Sequence, residues 1–89
     1  MASDYLQSLA IAQSGFVFDP RTGCSFSTNS VSSFVLRRMQ ERVAPKIIVS
    51  ELVLETGADE LTVRNDLRLF LGDLVRQGWV DEEYAKAAL

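Results

Sequence analysis

Few side chains in this sequence could do chemistry, and their pattern points away from catalysis. The 89 residues include no histidine, which removes imidazole acid–base chemistry and histidine-ligated metals. They include one cysteine, Cys24. A lone thiol can neither close an intrachain disulfide nor build a thiolate metal site, and without histidine it lacks the usual base of a nucleophile. Cys24 is therefore read as a small strand residue, and such sparse cysteine usage fits a reducing cytoplasm. Asp81, Glu82 and Glu83 are adjacent near the C-terminus, the pattern of a solvated run rather than of an acid–base pair. The five glycines sit at turns and helix ends or, for Gly72, inside a helix, and none forms a phosphate-cradling loop. No cofactor or metal site is expected, nor is catalysis by this chain alone.

What remains are cations and an uncharged strand. Arg37, Arg38, Arg42 and Lys46 make a basic patch, read as solvated or as a dock for an acidic enzyme surface. Arg64 and Arg68 lie together on one helix flank. Against 9 Lys and Arg stand 12 Asp and Glu, a net charge of −3, so the chain as a whole is no polyanion binder.

These residues need elements to position them. An apolar fraction of 47% supplies one small core. No apolar run approaches the roughly 20 residues that span a bilayer, and "MASDYLQSLA" has an acid and no basic flank, unlike a secretory signal. Strand-like runs fall near Leu9–Gln13 and Gly15–Asp19, the second with Phe16 and Phe18 on one face and Val17 on the other. "DPRTG" is a turn: Asp19 bonds back to the chain, Pro20 presets φ and Gly23 tolerates a positive φ. "CSFST" returns as a third strand with Cys24, Phe26 and Thr28 on one face, completing an antiparallel meander.

Asn29 or Ser30 then caps a helix whose apolar stripe is Val31, Phe34, Val35 and Met39, with Arg37, Arg38 and Arg42 outward. Pro45 marks a boundary before a second helix with Ile48, Leu52 and Val53, stopped at Gly57. Asp59 caps a third helix striped by Val63, Leu67, Phe70 and Leu74, widened by Leu71 and Val75, with Leu69 off the stripe. Gly78 ends it, and Trp79–Val80 folds back onto the core. "DEEYAKAAL" is read as an acidic tail with at most a frayed final turn. The expectation is an α+β fold in the order βββααα, with one domain over residues 1–80 and an acidic tail over 81–89.

Residues 50–80 resemble a helix-turn-helix, which often means a DNA-binding transcriptional regulator. The charge opposes that reading: Arg64, Arg68 and Arg76 face Glu51, Glu55, Asp59, Glu60, Asp66 and Asp73, whereas duplex binders neutralise several phosphates. The usual winged version also places its hairpin after the reading helix, and here it comes before. "GFVFDPRTGCSFSTNSVSSFVL" is similar to the signature of the PqqD-like family: apolar strand, Asp-Pro-x-Thr-Gly turn, aromatic strand, then Asn opening a helix. Asp66-Leu67, Phe70-Leu71, Leu74 and Gly78 continue the resemblance in the last helix, so that it covers residues 9 to 80. Where the family usually has Leu before the helix-opening Asn, this chain has Thr28.

The resemblance implies three strands followed by three helices, a winged-helix relative that binds peptides. Members hold the leader of a ribosomally made precursor peptide and present its core to a modifying enzyme, often a radical SAM protein. The leader is expected to add a strand to the third strand and to lie against the third helix. Strand addition needs an unguarded edge, and Cys24, Ser25, Phe26, Ser27 and Thr28 include no Lys, Glu or Pro. The expected peptide-binding set is those five residues with Val63, Arg64, Leu67, Arg68 and Leu71. Leu67, Leu71 and Val75 would form the floor, and Arg64 and Arg68 would orient acidic leader residues. The same edge could instead pair with a second copy in a symmetric dimer.

Overall fold

The computed structural model describes residues 4–87; Met1–Ser3 and Ala88–Leu89, which belong to the N-terminal and tail readings above, lie outside the described residues. The elements follow as α1 (Asp4–Ser8), β1 (Ala10–Ile11), β2 (Phe16–Asp19), β3 (Cys24–Ser27), α2 (Ser30–Gln40), α3 (Pro45–Thr56), α4 (Glu60–Gln77) and α5 (Glu82–Ala87). This is the expected α+β arrangement of a three-stranded antiparallel sheet followed by helices. Two short helices, α1 and α5, are additional to it.

The sheet is ordered β1-β2-β3, with Val17 opposite Phe26 and Phe18 opposite Ser25. Alternation along β2 sends Val17 and Asp19 into the core and leaves Phe16 and Phe18 on the outer face. β1 is only two residues long, and Gln40 of α2 donates to the carbonyls of Leu6 and Leu9 just before it, at 2.9 and 2.8 Å. β3 is the longer edge.

Helix ends follow local chemistry. The Asn29 side chain accepts from the Ser32 N–H at 2.7 Å, and Asp59 accepts from Thr62 at 3.3 Å. Pro45 is the first residue of α3 rather than a boundary before it, since a missing N–H costs nothing there. Gly78 closes α4 in a left-handed conformation, with Trp79 N–H donating to Leu74 and Gly78 N–H to Val75. The same pattern closes α2, where Val43 donates to Arg38 and Arg42 to Met39, but there the left-handed position at φ 64° is held by Arg42.

The core joins Leu6, Val17, Leu36, Met39, Ile48, Leu71 and Leu74 with Trp79 and Val80. Trp79 does fold back, ending 4% exposed. The α2 stripe is rotated from the sequence expectation: Ser33 and Leu36 are fully buried, while Val31 is about half exposed. α2 must face both the sheet and α3, so its buried arc is wider than the apolar residues alone indicate. Arg38 is not part of a free basic patch either. Its guanidinium grips Glu51 of α3 through two bonds of 3.0 and 2.7 Å and also reaches Glu41 at 3.1 Å. Residues 82–87 form a helix started by the Asp81 side chain, which accepts from Tyr84 N–H at 2.6 Å, and Tyr84 and Ala85 pack against the core.

Candidate functional site

The β2–β3 hairpin is fastened to the far end of α4. Asp19 is 2% exposed and accepts from the Arg21 N–H at 2.9 Å, from the Trp79 indole N–H at 3.2 Å and from the Arg21 guanidinium at 3.5 Å. Burial by itself would raise its pKa; the Trp79 bond, the Arg21 N–H and the guanidinium charge outweigh that and hold the carboxyl below the ordinary carboxylate range. Arg21 also donates to the Gln77 carbonyl at 3.3 Å and lies 4.0 Å above the Tyr5 ring. One strand away, Phe26 meets Trp79 edge-to-face with ring centroids 5.4 Å apart. At the hairpin mouth, the Thr28 N–H and hydroxyl both donate to the Gly15 carbonyl at 2.7 Å. Thr28 thus closes the mouth through its hydroxyl, a bond that leucine could not make.

Which main-chain groups of β3 are free follows from that closure. Hydrogen-bonded and non-hydrogen-bonded pairs alternate along an antiparallel ladder. Gly15 and Thr28 are a bonded pair by the Thr28 N–H, so Val17–Phe26 and Asp19–Cys24 are bonded pairs as well. Ser25 and Ser27 therefore turn their N–H and C=O groups away from β2, presenting two donors and two acceptors on the open edge. Cys24, Ser25 and Ser27 are exposed and uncharged, and Phe26 and Thr28 are half-buried.

β3 starts beside the C-terminal end of α4 and leads into Asn29 and Val31, which line a cavity of about 510 Å³ with Phe70 and Asp73 farther back along α4. The strand thus runs from that end of α4 toward the cavity. The cavity wall includes Val35, Leu52, Val63 and Leu67, with Asp66 and Leu69 at its rim. Its floor is apolar, and Asn29, the residue that follows Thr28 at the end of the free edge, is part of its lining.

The expected site residues divide over this geometry. Val63 and Leu67 line the cavity although both are largely buried. Leu71 is 1% exposed and belongs to the core. Arg64 and Arg68 lie on the other flank of α4: Arg64 donates to Glu60 at 3.4 Å and Arg68 to Asn65 at 3.1 Å. Arg68 and Val75 share a separate recess with Glu82 and Ala85 of α5, so the widened flank faces the C-terminal helix. The flank that lines the cavity carries Asp66, Phe70 and Asp73, none of which is in the expected set. Their i, i+4, i+7 spacing marks a common face of α4, but only the packing of α3 and α5 reveals which flank of that helix is open.

Residues 15–80 match the family model described as coenzyme PQQ synthesis protein D (PqqD). The chain belongs to the PqqD family. The match begins at Gly15, the residue that accepts from Thr28, and ends at Val80, so it takes in the hairpin, its fastening to Trp79 and the whole of α2 to α4. No curated protein and no solved structure matches the chain. Among the described residues, no group of Cys, Asp and Glu could hold a metal ion, and no helix is long and apolar enough to cross a membrane.

Proposed function

We propose that this PqqD-family chain is a non-catalytic module that binds the leader of a ribosomally made precursor peptide and presents the peptide to a modifying enzyme, of the radical SAM class, in the cytoplasm. The observation that carries the reading is the open edge of β3 beside the apolar cavity on α4. An extended segment can pair with the outward N–H and C=O groups of Ser25 and Ser27 while alternate side chains enter the cavity. The family's role in the synthesis of a coenzyme supports a precursor as the ligand. Exposed Asp66 and Asp73 on the same flank oppose a phosphate backbone as the occupant.

The energetics assign the work. Four main-chain bonds at about 0.5–1.5 kcal/mol each fall short of the association cost of about 4–15 kcal/mol. Micromolar binding, about −8 kcal/mol, therefore needs several hundred Å² of apolar burial at roughly 25 cal/mol per Å². The edge supplies direction and register, and the cavity supplies affinity.

The test is titration of the ¹⁵N-labelled chain with a synthetic leader of a coenzyme-PQQ-type precursor. Amides of residues 24–29 and of the α4 residues 63–73 should shift together. Ser27→Pro removes an outward N–H without touching the β2–β3 ladder, so it should retain the folded spectrum and weaken the peptide roughly tenfold, the effect of about 1–2 kcal/mol. Unmoved amides at 24–28 under saturating peptide would overturn the reading. If those amides instead shift with protein concentration alone, the edge pairs with a second copy.

A further inference from the structure

The groove has a charge of its own, opposite to the one the α4 arginines would give it. Among the described residues, Asp66 and Asp73 are the ionisable ones lining the cavity, and no Lys or Arg lines it. They flank Phe70 at one turn on either side along α4, about 10 Å apart at 1.5 Å rise per residue. Arg64 and Arg68 face away, toward Asn65, Glu60 and α5. Asp73 pairs with Arg76, which is 72% exposed, and an exposed pair of that kind is worth little and yields readily to a competitor. Among the described residues, Asp66 makes no ion pair or side-chain hydrogen bond.

We infer, on the reading of this groove as a peptide site, that its occupant is a basic apolar strand: an apolar side chain set against Phe70, with a Lys or Arg two residues away on the same strand face. In an extended peptide, residues i and i+2 point the same way about 6.8 Å apart. A cation two positions from the apolar anchor therefore arrives over Asp66 or Asp73 with the reach of its own stem left to adjust. The pairing selects partners and register more than it adds affinity, because both carboxylates sit at the rim. An acidic residue at the same position would meet two like charges.

The experiment is selection of a random 12-residue peptide display library on the full chain, followed by synthesis of the enriched sequences. Enriched peptides should carry Lys or Arg at alternate spacing from an apolar residue and shift the amides of residues 24–29. Asp66→Asn with Asp73→Asn should weaken them about three- to tenfold, and Asp66→Lys with Asp73→Lys should turn the preference toward Glu-substituted versions. Peptides that shift residues 24–29 but are acidic, or are indifferent to the Asp66 and Asp73 variants, would overturn the charge assignment and leave the peptide-binding reading standing. A library that enriches nothing, or whose winners leave residues 24–28 unmoved, would overturn the peptide-binding reading itself.

Discussion

Gly15→Ala should be the most damaging small substitution in the hairpin, and Gly23→Ala provides its control. Both glycines have positive φ, 99° and 74°, so alanine at either pays a left-handed penalty of about 1–2 kcal/mol. Their surroundings differ. A Cβ on Gly23 meets nothing within 4 Å, whereas one on Gly15 would sit 2.0 Å from the Thr28 carbonyl oxygen. That contact involves backbone atoms, so relief requires the strands to part at the mouth. The two bonds from Thr28 to the Gly15 carbonyl are then lost, at about 0.5–1.5 kcal/mol each. Gly15→Ala should therefore cost about 2–5 kcal/mol, a large share of the roughly 5–15 kcal/mol that stabilises a domain.

Urea unfolding followed by fluorescence of Trp79, the single tryptophan, measures the difference where it arises, since Trp79 touches β3 through Phe26. With m about 1 kcal/mol/M, the midpoint should fall by roughly 2–5 M for Gly15→Ala and about 1–2 M for Gly23→Ala. A Gly15 variant with no folded baseline satisfies the same inequality. Equal midpoints for the two variants would refute the reasoning, because only the contact with Thr28 separates them.

Two further outcomes follow from strained or buried groups. Arg42→Gly should stabilise the chain by about 0.5–1 kcal/mol, because Arg42 holds a left-handed position that glycine occupies without a Cβ conflict; thermal unfolding checks it, and a destabilised variant would show that the Arg42 side chain matters more than its backbone. Asp19 has a folded pKa below its ordinary value, so its contribution is fully present above about pH 4–5 and is lost as pH falls through the folded value. Asp19→Asn should accordingly be less stable than the parent at pH 7, with a gap that narrows on acidification; a gap independent of pH from 7 to 2 would exclude the carboxylate as its source.

Much of the architecture is legible because it is written in local chemistry. The Asp19-Pro20-Arg21-Thr22-Gly23 turn, the Asn29 and Asp59 caps and the Gly57 and Gly78 stops each depend on a few consecutive residues. The α4 stripe was equally plain, since Val63, Leu67 and Leu74 repeat at helical spacing and are all buried, and Leu69, off the stripe, is 72% exposed. Short terminal helices were not: α1 and α5 have five and six residues, too few for periodicity to declare itself, and they exist by packing Leu6 and Tyr84 onto a core built by distant segments. The buried Asp19 likewise looked like a turn residue, and its bond to Trp79 spans 60 positions.

The sequence by itself determined the hairpin, the order of the main elements, the uncharged third strand and the family signature, because turns, caps and periodicity act over a few residues. It could not determine which main-chain groups of β3 are free, since that depends on the ladder phase set between Gly15 and Thr28. Nor could it determine the sign of the groove. A helix carries arginines on one flank and aspartates on the other, and only the packing of α3 and α5 against α4 decides which flank stays open. Here α5 takes the flank of Arg68, and the carboxylates of Asp66 and Asp73 are left beside the edge.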